Sequence, residues 1–151
     1  MKVALGSDHA GFGLKEELKK RLAKRLEAEF LDFGAFGSAQ ADYPDHGFPA
    51  AQAVASGSCA FGILVCGSGI GMSIVANKVK GIRAALCLDT ESARLAREHN
   101  DANVLVLVGR KTSAELAEEI ALVFLQTPFS GEERHARRIS KIKKFEDEHL
   151  P

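Results

Sequence analysis

Five short apolar runs, each followed by a longer stretch with helical periodicity, succeed one another along the chain, and no other sequence feature restricts the fold as much. The runs cover residues 2–6, 29–33, 61–66, 82–87 and 104–108. A strand that rejoins its sheet through a helix lies parallel to its predecessor, so this alternation prescribes helices stacked on a parallel sheet. Residues 61–66 (FGILVC) are apolar on both alternating sets, which suits a central strand covered on its two faces. A chain of 151 residues holds one such unit and is short for two.

The intervening stretches read as helices. The first covers 14–26, where Leu14, Leu18, Leu22 and Leu26 recur every fourth residue. Tyr43-Pro44-Asp45 opens a second over 49–56, and others follow over 72–78, 91–98 and 113–125. After Thr127-Pro128 a last, highly charged helix is expected over 132–148. The expected architecture is α/β: a single three-layer αβα, Rossmann-like domain spanning 1–151, with a five-stranded, mostly parallel sheet and an added C-terminal helix. Ligands of such sheets bind beyond the carboxyl ends of the strands.

Charge and cysteine usage remove several classes of function. Twenty basic and twenty acidic residues cancel, so no general field draws the chain to nucleic acid or to an anionic membrane, and neither is expected as a partner. Nowhere do eighteen apolar residues run together, and the first apolar stretch is too short for a signal peptide. Cys59, Cys66 and Cys87 are odd in number and lack C-x-x-C spacing. That pattern fits reduced thiols in the cytoplasm better than a disulfide framework or a zinc ribbon. The five histidines make no metal-ligand cluster, so neither metal nor organic cofactor is expected.

Unusual chemistry gathers at the ends of the segments. Ser7-Asp8-His9-Ala10-Gly11 follows the first strand, Cys66-Gly67-Ser68-Gly69-Ile70-Gly71 the third, and Gly109-Arg110 the fifth, while His99-Asn100-Asp101 follows the fourth helix. Singly these have ordinary explanations, because glycine is the usual residue of a tight turn and an isolated histidine is usually structural. Together they are expected to converge on one edge of the sheet. Cys66 is the sharpest candidate, since it ends a strand just before a helix whose first amides lack intrahelical partners. A helix N-terminus favours thiolate over thiol, and the thiolate is the reactive form. The glycines let backbone amides approach an anion, either a phosphate or an oxyanion formed in catalysis. The plainer alternative makes Cys66 a small buried hydrophobe, like Cys59 and Cys87.

Known phosphate motifs are absent from this loop. Gly67-Ser68-Gly69-Ile70-Gly71-Met72 has no third glycine in the register of a dinucleotide fingerprint, and Gly71-Met72-Ser73 lacks the lysine of a P-loop. A cysteine phosphatase loop would need arginine where Met72 stands. A thiol without those partners points to a base or nucleophile acting on carbon. Positive charge for an anionic substrate is richest from Arg134 to Lys144, where six basic residues occur without an acid. Arg134 and Arg138 lie four apart, so both project from one helix face and can grip a phosphate, whereas the lysines read as a solvated face.

Gly6-Ser7-Asp8-His9-Ala10-Gly11, Asp42-Tyr43-Pro44, Cys66-Gly67-Ser68-Gly69-Ile70-Gly71, Ala76-Asn77-Lys78, Gly81-Ile82-Arg83-Ala84, His99-Asn100-Asp101-Ala102-Asn103 and Arg134-His135 occur in an order and spacing that resembles the type B ribose-5-phosphate isomerases. The likeness runs from Val3 to about Ile142. That family also contains galactose-6-phosphate isomerase subunits and an allose-6-phosphate isomerase activity. The resemblance implies an aldose–ketose isomerase that interconverts ribose 5-phosphate and ribulose 5-phosphate without metal or nucleotide. By position it implies Cys66 as the base between C2 and C1 and His99 as the acid that opens the furanose ring, with Ser68 kept polar where many relatives have threonine. Asp8, His9 and Tyr43 resemble the contacts to sugar hydroxyls, and Gly67, Ser68, Gly69, Ile70 and Gly71 the cradle of the enediolate. Asn100, Arg110, Arg134 and Arg138 resemble the remaining substrate and phosphate contacts. A homodimer with active sites built from both subunits is implied as well, often as a dimer of dimers.

One branch of the family replaces the loop cysteine by a glutamate at the position of Val75, which cannot ionise, so the cysteine mechanism is the one this chain supports. A six-carbon sugar phosphate as substrate, a non-catalytic sugar-phosphate-binding protein and a thiol-redox module are the competing readings. Loss of Cys66 or His99 would favour the second, and both are present. The third lacks a resolving cysteine nearby in sequence.

Overall fold

The computed structural model describes residues 1–150. Strands β1 (Lys2–Ser7), β2 (Glu29–Asp32), β3 (Phe61–Cys66), β4 (Ala84–Leu86) and β5 (Val104–Val108) form one sheet in the order β2-β1-β3-β5-β4. Every neighbouring pair is parallel, so the sheet expected to be mostly parallel is wholly so. The helices are α1 (Phe12–Ala23), α2 (Tyr43–Ala55), α3 (Ile70–Ala76), α4 (Thr90–Asn100), α5 (Ala114–Gln126) and α6 (Glu133–His149).

The period-two alternation of each strand divides the core into two layers. Val3, Leu5, Ile63, Val65, Leu105 and Leu107 face α1, α4 and α5, meeting Leu18, Leu22, Ala93, Ile120 and Phe124. Ala4, Leu64, Cys66, Val104 and Val106 face α2 and α3, meeting Ala50, Ala51, Val54, Met72 and Ala76. Each large side chain buried this way contributes roughly 1.5–3 kcal/mol. The layers explain the apolar character of β3 and β5 at every position, since both strands are covered twice.

Several boundaries differ from the sequence reading for identifiable reasons. Helix α1 stops at Ala23, and its buried stripe is Lys15, Leu18 and Leu22 rather than the leucines alone. The Lys15 ammonium survives burial because it donates to Asp32 and, at 2.8 Å, to the Ala35 carbonyl, with the Phe12 and Phe36 rings 5.7 and 5.4 Å away. Helix α2 starts at Tyr43, with Pro44 in its first turn, and continues through Pro49, because Gly47, Ala50, Ala51 and Val54 hold it to the sheet. Helix α3 starts two residues early, on a glycine cap, and ends at Ala76. Strand β4 shrinks to three residues at the free edge, where Asn77 and Asn103 side chains satisfy the amides of Ala84 and Arg83.

From β1 the chain moves outward to β2 and then crosses back to β3 on the other side of β1. The reversal leaves a crevice between the carboxyl ends of β1 and β3. Helix α6 follows the last strand and buries only His135 and Ile139, leaving Ile142 and Phe145 45% and 59% exposed.

Candidate active site

The crevice is walled by the segments that leave β1 and β3. Asp8 follows β1 directly; its amide donates to the Val65 carbonyl at 3.3 Å, and its Oδ1 accepts from the Gly11 amide at 2.9 Å. His9 comes next, with Nδ1 held between the carbonyl and the amide of Ala41 at 3.1 and 3.2 Å. Cys66 ends β3 and is only 3% exposed, its side chain in the layer shared with Leu64 and Met72. The Gly109 amide donates to its carbonyl at 2.8 Å, and the Arg110 amide to the Gly67 carbonyl at 3.2 Å, so β5 braces the loop that follows.

Close approach explains the glycines of that loop. A Cβ at Gly67 would lie 3.0 Å from an Arg110 guanidinium nitrogen, and one at Gly71 would lie 2.9 Å from the Tyr43 ring. Gly69 caps α3 with φ +76°, a left-handed conformation that an L side chain adopts only with strain. Ser68 is exposed, and its Oγ accepts from the Ile70 amide at 3.2 Å. The amides of Ser68, Gly69 and Gly71 donate to nothing among the described residues. A cleft of about 450 Å³ opens beside them, lined by Ser68, Ile70, Leu86, Leu88, Val108 and Arg110 among others. Asp8, His9, Tyr43, Cys66, Gly67, Ser68, Gly69, Ile70, Gly71 and Arg110 therefore share the carboxyl edge. Burial pushes the Cys87 thiol up to about 11 and raises that of Cys59 as well.

His99, Asn100, Arg134 and Arg138 do not join them in the same chain, which corrects the expected convergence on one edge. Helix α4 runs from the carboxyl end of β4 back to the amino end of β5, and its 11 residues span about 16 Å. Its last turn therefore places His99 and Asn100 at the amino edge. Arg83 holds that turn, donating from Nε to the Asn100 carbonyl at 2.9 Å and from a terminal nitrogen to the Asp101 carbonyl at 2.8 Å. The His99 ring packs on His135 of α6, with centroids 4.2 Å apart. Arg134 and Arg138 are exposed on the same first turns of α6, whereas Arg137 is engaged by Glu133 at 2.6 Å. The candidate residues thus fall into two groups, one around the Cys66 thiol and the loop amides at the carboxyl edge, the other around the His99–His135 pair at the amino edge.

Residues 3–142 match the family model described as Ribose/Galactose Isomerase. The chain belongs to the ribose/galactose isomerase family. It is 43% identical over 145 residues to ribose-5-phosphate isomerase B of Escherichia coli, with 96% of each chain covered. Its fold superimposes on the crystal structure of a ribose 5-phosphate isomerase from Thermotoga maritima with a TM-score of 0.91 and 52% identity, covering 95% of this chain and 97% of that one. For ribose-5-phosphate isomerase B of Clostridium thermocellum the TM-score is 0.94 at 48% identity, covering 99% of both chains.

Among the described residues of this isomerase-family chain, no group of three or more His, Cys, Asp or Glu side chains could hold a metal ion, and no helix is long and apolar enough to cross a membrane. Three supporting residues escaped the sequence reading. Lys15 was masked because the leucine repeat marks its neighbour Leu14 as the inward position. Arg83 stood in the motif Gly81-Ile82-Arg83-Ala84, but nothing along the chain says that its guanidinium holds the end of α4. His135 had a signal, its place beside Arg134 in the final motif, but nothing in the sequence says that its ring is buried against His99.

Proposed function

We propose that the protein is an aldose–ketose isomerase interconverting D-ribose 5-phosphate and D-ribulose 5-phosphate through an enediolate. The observation that carries this reading is the set of unpartnered amides at Ser68, Gly69 and Gly71, lying directly after the Cys66 thiol at the strand switch point. A proton α to a carbonyl becomes acidic when the oxyanion left behind is stabilised, and a preorganised amide contributes about 3–4 kcal/mol to that. His99 protonates the ring oxygen as the furanose opens, and the C1 hydroxyl passes its proton to water, leaving the C1 carbonyl. The Cys66 thiolate then takes the C2 proton and the enediolate forms against the amides; as the O2 proton passes to O1, the thiol returns its proton to C1, giving the C2 carbonyl of the ketose and restoring the thiolate. Asp8, His9 and Tyr43 hold the sugar hydroxyls. Arg110, Arg134 and Arg138 fix the phosphate, which is remote from the reacting carbons and so contributes orientation.

In this reading a second copy of the chain supplies the missing half of each pocket. The distance along α4 keeps His99 of one chain away from its own Cys66. The exposed Ile70, Ile74 and Leu88 beside the loop, and Ile142 and Phe145 on α6, offer apolar surface for that copy to cover. The three free thiols suit a reducing, cytoplasmic setting.

Turnover of ribose 5-phosphate, allose 6-phosphate and galactose 6-phosphate, measured side by side after extensive chelation, tests the assignment. The pentose phosphate should give the highest kcat/KM, unchanged by chelation. A higher value for either hexose phosphate would move the substrate to six carbons, and no turnover of any of the three would leave only a binding role.

A further inference from the structure

His135 is the one fully buried histidine among the described residues, 3% exposed, and no step of the isomerisation uses it. Its surroundings specify its ring. The His99 ring lies against it at 4.2 Å with planes tilted by 35°. The Arg134 Nε donates to its Nε2 at 3.3 Å. An arginine has donors only, so that nitrogen must present a lone pair, and the single ring proton then sits on Nδ1. Nδ1 lies 2.8 Å from Ser130 Oγ, an acceptor in the right place. Ser130 is itself fixed, because its amide donates to the Glu98 carbonyl at 3.1 Å and so ties the approach to α6 onto the end of α4.

We propose that His135 is a positioning residue that seats the His99 ring and, through its Nε2 lone pair, aims the Arg134 guanidinium, so that one buried ring sets the acid and the phosphate clamp relative to each other. The roles of His99 and Arg134 rest on the isomerase reading above. Held at Nε, the guanidinium keeps its terminal nitrogens for other partners; one of them meets Glu132 at 3.0 Å. Glu132 is exposed, so an incoming phosphate can displace it. Burial, with His99, Arg134 and Arg138 close by, lowers the His135 pKa and outweighs the opposite pull of Glu132. The uncharged ring that results is the form able to accept from Arg134.

Two substitutions separate the two functions of the ring. His135→Phe keeps an aromatic seat for His99 and removes both hydrogen bonds. It should raise KM for ribose 5-phosphate, and the inhibition constant of inorganic phosphate, by roughly tenfold while kcat stays within about twofold. His135→Gln offers Arg134 an acceptor but no ring, so kcat should fall about tenfold with KM near that of the unaltered protein. Identical losses in the two variants, or none in either, would overturn the proposal. Imidazole nitrogen NMR of the unaltered protein supplies a readout that needs no turnover. At pH 7 His135 should be the neutral Nδ1–H tautomer, and an Nε2–H tautomer or an imidazolium there would overturn the proposal. Absence of ribose 5-phosphate turnover, with that tautomer found, would instead count against the isomerase reading alone.

Discussion

The carboxyl and amino edges of the sheet hold their candidate residues by different means, and the proposed mechanism draws on both. At the carboxyl edge main-chain amides and one short thiol, set by strand ends, a left-handed glycine and the brace from β5, lie among Asp8, His9, Tyr43 and Arg110. At the amino edge the candidates are long or ring-bearing side chains on the last turn of α4 and the first turns of α6, held by one another. Backbone groups need no rotamer freezing and hold their aim before substrate arrives, which suits the stabilisation of an oxyanion. Arginines and imidazoles reach and titrate, which suits a phosphate and a proton shuttle. In the proposed reading, division of the work between two edges leaves a single chain with the parts but without a finished pocket.

Complementation breaks the comparison most severely. Cys66→Ala should lower kcat by about 10²–10⁴-fold and abolish solvent-deuterium exchange into the substrate carbon while substrate still binds. An Arg134→Ala/Arg138→Ala chain should be nearly inactive at low substrate concentration. If each pocket joins the carboxyl edge of one chain to the amino edge of another, mixed dimers of these two variants recover about half the unaltered activity, because one pocket then carries both lesions and its twin neither. No recovery in verified mixed dimers would refute shared pockets.

A smaller effect is expected at the backbone of the carboxyl edge. A Cβ at Gly69 would lie 2.5 Å from Leu86 Cδ1, and φ +76° strains any L side chain. Gly69→Ala should therefore lower kcat by roughly 10²-fold as the amides lose their aim and destabilise the fold by about 1–3 kcal/mol. The His99 and His135 imidazole resonances should not move. A shift in them would mean that the loop is coupled to the imidazoles, within one chain or through the pocket shared with a second copy.

The smallest effect on catalysis should come from beneath the carboxyl edge. Burial works against ionisation of Asp32, yet hydrogen bonds from Lys15, Lys19 and the Gly34 amide outweigh it and hold the carboxyl below its ordinary value of 3.8. A depressed carboxylate stabilises the fold at pH above its unfolded value, and that stability is lost as pH falls through the folded one. Asp32→Asn should destabilise the protein by about 3 kcal/mol at pH 7, since Lys15 stays buried without this partner. The difference from the unaltered protein should shrink below pH 4 in denaturant titrations, with kcat at pH 7 little changed. A constant difference across that range would remove the Lys15–Asp32 pair from the acid response.

Much of this was readable along the chain. Strand β3 announced itself because FGILVC is apolar at every position, and the loop after it because three glycines follow a cysteine. Helix α1 was readable as a helix with Leu18 and Leu22 inward, but a leucine at every fourth position drifts from a 3.6-residue turn and gave no sign of Lys15 on the inner face. Helix α2 was expected over 49–56 after Tyr43-Pro44-Asp45, but packing of its alanines against the sheet carries it from Tyr43 through Pro49.

Local pattern thus settles the elements, their parallel sense and the glycine loop, because periodicity and turn chemistry act between residues close in sequence. Folding in three dimensions adds the order of the strands, in which β5 enters between β3 and β4, since neighbours along the chain need not be neighbours in a sheet. It also sends His99 to the edge opposite Cys66. The physical reason is the crossover itself: a helix joining two parallel strands must return the chain to the edge where the next strand begins, so residues at a helix end and at a strand end part company by the full depth of the sheet.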